Sequence, residues 1–104
     1  LFLQLLASPV DSERIEVRRR GIVDLATFEC RDINRSTVLQ RVCYDRAQKD
    51  LIVATDGGYN EYCGVPADTV DRLMGAPSMG QFFNQNIKRE ASGARYLCHV
   101  MQLR

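Results

Sequence analysis

Between residues 37 and 63 the chain alternates in a way that only strands explain. Val38, Val42 and Tyr44 fall on one side of an extended backbone, and Thr37, Leu39, Arg41 and Cys43 on the other. A polar stretch, Asp45 to Asp50, precedes Leu51-Ile52-Val53-Ala54-Thr55, a β-rich run suited to a central strand. Asp56-Gly57-Gly58 is a turn in which glycine adopts positive φ without a Cβ clash, and Tyr59 to Cys63 returns. The pattern predicts a three-stranded antiparallel meander over residues 37–63. Alternation around Ile15 and Val17 adds a first strand within residues 11–20, and residues 95–101 suggest a last one. The periodicity then changes. Pro66 suits a first helical position, Val70, Leu73 and Met74 share a face, and Gly75 ends that helix. Ser78-Met79-Gly80-Gln81 matches a capping box, followed by a helix showing Met79, Phe82, Phe83 and Ile87 to the sheet and closing at 91–93. The expected fold is α+β: an antiparallel meander sheet of three to five strands packed against two consecutive short helices.

The 104 residues suffice for one domain and leave no length for a second core. Residues 13–104 read as that domain. The segment 1–12 opens Leu-Phe-Leu-Gln-Leu-Leu, resembling the end of a secretory signal, and reads equally as an amphipathic helix docked on the domain or on a second copy. It is too short to span a membrane, which takes roughly 20 apolar residues in a helix. The 14 basic and 13 acidic side chains nearly cancel, which argues against a general polyanion binder. Arg18, Arg19 and Arg20, then Arg31, Arg35, Arg41 and Arg46, read as a solvated face offset by Asp24, Glu29, Asp32 and Asp45, or as a phosphate patch.

Four cysteines, Cys30, Cys43, Cys63 and Cys98, stand 13, 20 and 35 residues apart. That spacing lacks the C-x-x-C pairs of zinc ribbons and thioredoxin-like sites. An even number in a short chain with an apolar start points to disulfides in an oxidising compartment, periplasmic or secreted. Three pairings are open. The meander favours Cys30–Cys43 with Cys63–Cys98, since each then ties one flank to the sheet.

Residues 36–88 carry a resemblance. Ser36, Cys43-Tyr44-Asp45, Gly58, Tyr62 with Gly64-Val65-Pro66, and Ala76-x-Ser78-x-Gly80-x-x-Phe83-Asn84-x-x-Ile87-Lys88 together resemble the KTSC family, a small module also found after the catalytic part of some lysyl-tRNA synthetases. The family usually has Tyr-x-Tyr before Val-Pro, and here Asn60 replaces the first tyrosine with Tyr59 beside it. Asp24-Leu25-x-x-Phe28-x-Cys30, with a cysteine after the last helix, is similar to an exported bacterial branch that stands alone behind a signal peptide. No activity, cofactor or metal comes with the resemblance.

Little in the sequence points to catalysis. His99 is the only histidine, Ser78 follows a helix where a nucleophile elbow follows a strand, and the acidic residues show no metal-ligand spacing. Ser78 reads as a cap. No cofactor or metal is expected. A binding module is the favoured reading, with Tyr44, Tyr59 and Tyr62 on neighbouring strands and Ser36 and Asn84 as further candidates for contact with a ligand. The alternative places Tyr44 and Tyr62 under the helices, with Asn84, Ser36 and Tyr62 in an internal polar network. The expected partner is a protein, peptide or envelope component, with an accessory RNA-binding module second and an enzyme third. The oligomeric state stays open.

Overall fold

A computed structural model describes residues 12–92 and 95–98. Among these residues the sheet has six strands: β1 (Arg14–Val17), β2 (Gly21–Asp24), β3 (Glu29–Asp32), β4 (Arg41–Asp45), β5 (Asp50–Thr55) and β6 (Gly58–Cys63). Their spatial order is β2-β1-β6-β5-β4-β3. All neighbours are antiparallel except β1 and β6, which run parallel and meet at Val17 and Tyr59. The meander β4-β5-β6 is the expected one. The sheet as a whole differs from an antiparallel meander of three to five strands, because β2 and β3 extend it at both edges and β1 enters in parallel. Strands of four residues with mostly exposed side chains carry too little apolar period to be seen in a sequence.

The connection from β2 to β3 shapes the sheet. These are its two outer strands, and only residues 25–28 join them. Six strands laid flat would separate the edges by about 24 Å, whereas so short a link reaches about 17 Å. The sheet therefore curls. Its concave face holds one apolar cluster, Ile15, Val17, Val23, Leu25, Cys43 and Ile52. Across this curl Arg41 reaches from β4 to Glu13 ahead of β1, at 2.6 and 2.7 Å.

The other face carries the helices. Helix α1 (Ala67–Gly75) follows Pro66 and buries Val70 and Leu73. The chain turns at 76–78 into α2 (Met79–Phe83), a π-helical turn (Asn84–Lys88) and α3 (Arg89–Ser92). Met79, Phe83 and Ile87 are buried at intervals of four. An α-helix advances such a stripe by about 40° per step, and the wider π turn brings it back toward the sheet. Together with Leu51, Val53, Tyr62 and Leu39 they form the larger core. Ser78 accepts a hydrogen bond from the Gln81 backbone N–H at 3.3 Å, as a cap should.

Two further expectations change. The strand expected from residue 37 begins at Arg41, because Ser36 Oγ accepts the N–H groups of Val38 and Leu39, both at 3.1 Å, and holds 36–39 as a turn. Residues 95–98 form no strand. They lie against β6, where the Cys63 N–H donates to the Tyr96 carbonyl at 2.9 Å. Residues 1–11, including the apolar opening, and His99 lie outside the described residues.

Candidate functional site

Disulfides join Cys30 to Cys43 and Cys63 to Cys98, the pairing that the meander favoured. The first links directly opposed residues of β3 and β4, with Cα atoms 4.0 Å apart. The second fastens residues 95–98 to the end of β6.

The three candidate tyrosines do not share a surface. Tyr44 and Tyr62 point to the helical side. Tyr44 donates its hydroxyl to the Val65 carbonyl, and Tyr62 packs edge-on against Phe83 with ring centres 5.6 Å apart. Burial raises the pKa of both phenols. Tyr59 faces the concave side, where its hydroxyl accepts from Arg41 at 3.2 Å. Nor do Asn84, Ser36 and Tyr62 form an internal network: Asn84 is exposed, and Ser36 is engaged with its own turn.

Ser36 and Asn84 do come together elsewhere. They line a cleft of about 520 Å³ between the 35–38 segment and the start of α2, with Thr37, Ser78, Gln81 and Gln85. Its lining side chains are mostly amides and hydroxyls. Arg35 flanks it, with its guanidinium donating to the carbonyls of Met74 and Ala76 at 2.8 and 2.9 Å. At the floor of the cleft Gly80 of α2 approaches the turn closely. A Cβ there would meet Val38 Cγ2 at 2.8 Å, so glycine is a packing requirement.

A second cleft of about 450 Å³ opens at one end of the curl. The acidic residues show no ligand spacing along the chain, yet the fold brings two of them together here. The hairpin register places Asp50 opposite Cys63 and Ile52 opposite Glu61, so Asp50, Glu61 and Cys63 share the concave face. Asp50 is hydrogen-bonded to Glu61, and Arg20 clamps Glu61 with both carboxylate oxygens at 2.8 and 3.0 Å. Burial first, then the neighbouring Glu61, pushes the Asp50 carboxyl up to about 8. Among the described residues Asp50, Glu61, Cys63 and Cys98 form the group whose side-chain atoms would fit a metal ion, but both sulfurs are spent in the disulfide. Periodicity within one strand shows none of this; the turn at Asp56–Gly57, which sets the register of two strands, is the signal that would have found it.

A pH dependence follows from Asp50. Its folded pKa lies above the ordinary 3.8, so the native state keeps a proton that the unfolded chain releases. This contribution is fully present below about pH 4 and is lost as pH rises through about 8. Glu13, Asp24 and Asp45, all held below their usual values chiefly by hydrogen bonds, act in the opposite sense at acid pH. Urea unfolding at about pH 5, 7 and 9 should show wild-type stability falling toward alkali relative to Asp50→Asn. Parallel profiles would contradict the shift.

Among the described residues, no helix is long and apolar enough to cross a membrane. The arginine run is largely spent on internal contacts: Arg20, Arg41 and Arg46 pair with acids, and Arg18 and Arg35 donate to backbone carbonyls.

Comparison with known proteins gives a consistent picture. No curated protein matches. The KTSC domain model matches residues 35–90. Among solved structures, a KTSC domain protein from Yersinia pestis is similar at 26% identity and a TM-score of 0.59, over 68% of this chain and 93% of that one. The matched segment runs from the Ser36 turn to the π-helical turn and so contains every residue that shapes the first cleft. On this match over more than half its length, the chain belongs to the KTSC domain family.

Proposed function

We propose that the domain is an exported binding module whose ligand enters the cleft between the Ser36 turn and the start of α2. One observation carries this reading. Ser36, Ser78, Gly80 and Asn84, which are spread over the family-matched segment, converge on one open concavity. Amide and hydroxyl side chains at its wall offer donors and acceptors, and its charged lining residue, Arg35, already donates to the Met74 and Ala76 carbonyls, which suits a neutral polar ligand such as a peptide backbone. Two disulfides support an oxidising, periplasmic or secreted setting. The spent arginines lend no support to a nucleic-acid role.

Asn84 separates binding from folding, because it is exposed. Peptide fragments screened by ligand-observed NMR should give hits that weaken roughly tenfold with Asn84→Ala, the loss of about one hydrogen bond, at unchanged thermal stability. Hits indifferent to Asn84 and Gln85 would place the ligand elsewhere.

A further inference from the structure

The two disulfides sit in different chemical settings. Cys43 is fully buried, and its bond to Cys30 lies in the apolar cluster of the concave face, among Ile15, Val17 and Ile52. Cys63 and Cys98 are both partly buried, as Cys30 is, but neither is fully buried like Cys43, and Cys63 lines the cleft at the end of the curl. Asp50 Oδ1 stands 3.8 Å from Cys63 Sγ. One carboxylate oxygen each of Asp50 and Glu61 and both sulfurs lie within 4.8 Å of one another. An acid is thus poised against one sulfur of a disulfide beside an open cleft, and among the described residues no acid joins Cys30 and Cys43 in such a group.

We propose that Cys63–Cys98 is an exchange-competent disulfide, opened by attack of a small thiol on Cys98, with Asp50, on the cleft side, as the proton donor to Cys63. The attacking thiolate forms a new S–S bond to Cys98 Sγ. The electron pair of the broken bond goes to Cys63 Sγ, which takes the Asp50 proton and leaves as a thiol. A second thiol then attacks the mixed disulfide at its outer sulfur and frees Cys98, so two thiols are oxidised to one disulfide as the domain gains a dithiol. A protonated leaving thiol departs more readily than a bare thiolate in a partly buried site.

The surroundings match this role. Asp50 at about 8 is close to a free thiol at about 8.5, so the proton passes between near equals. After transfer, two carboxylates would lie side by side, and Arg20 on the turn between β1 and β2 is already placed to balance them. The other charged groups of this cleft are Asp45 at the end of β4 and Asp24 at the end of β2. Opening the bond also releases the covalent hold on residues 95–98, which seat Tyr96 in the core of the helical side.

The test is reduction of the folded, oxidised protein by glutathione, quenched by alkylation and read disulfide by disulfide through peptide mass. Cys63–Cys98 should open at least about tenfold faster than Cys30–Cys43. Asp50→Asn, which keeps the shape and removes the proton, should slow that opening by about tenfold or more near neutrality and abolish the levelling of the wild-type rate above about pH 8, leaving only the rise with thiolate. In urea the wild type and Asp50→Asn should react alike. Equal rates for the two disulfides, an unchanged rate in Asp50→Asn, or a difference that persists in urea would each overturn the assignment.

Discussion

Phe83→Ala should cost about 3–5 kcal/mol of stability, the range for removing a large aromatic side chain from a packed core. Phe83 is 2% exposed and touches Tyr62 edge-on, and it lies between Met79 and Ile87 on the stripe that seats the second helical segment. A domain of this size has only about 5–15 kcal/mol to lose. Urea midpoints decide the matter, with Ser78→Ala as the scale: that variant loses one capping bond and should cost about 1 kcal/mol. If both variants kept wild-type stability yet lost ligand binding, the family-matched helix would be a contact surface and its packing role would be wrong.

The second large effect concerns the tether at the end of β6. Replacing Cys63 and Cys98 together by serine opens a loop of 35 residues, for which chain entropy gives about 4 kcal/mol. The loss should be partly local. The Cys63 amide bonds to the Tyr96 carbonyl, and Tyr96 is buried in the larger core, so both should loosen before the sheet does. Hydrogen exchange would show this as a larger gain in exchange rate at Cys63 than in β5. Uniformly protected amides and an unmoved urea midpoint would mean that packing alone holds 95–98.

The sequence was readable where one element carries its own period. Leu51 to Thr55, the glycine turn, the Val70-Leu73 face and the Ser78 cap each announce themselves locally, and together they imply the disulfide pairing. What escaped depends on distant segments meeting. β2 and β3 are short and polar, and only the curl gives them a place. Arg41 looked like part of a charge run, but it spans the concave face to Glu13 and Tyr59. Asp50 and Glu61 lie eleven positions apart and become neighbours only through the register of β5 and β6. The tyrosines divide between the faces for a related reason, with Tyr44 and Tyr62 under the helices as one of the two readings had them. Neighbouring strands suggest a shared surface, but Tyr59 and Tyr62 are an odd number of residues apart, so the pleat sends them to opposite faces.

The four-residue link between the outer strands also bears on solubility. A six-stranded sheet left open would present two rows of unpaired N–H and C=O groups, each a template on which another chain can grow as a strand. Here both margins are kept to four residues and studded with Asp24, Glu29, Arg31 and Asp32. The same short link draws these margins toward each other, leaving less room for a foreign strand to lie flat along either. Edges built this way disfavour the growth of a second chain along the sheet.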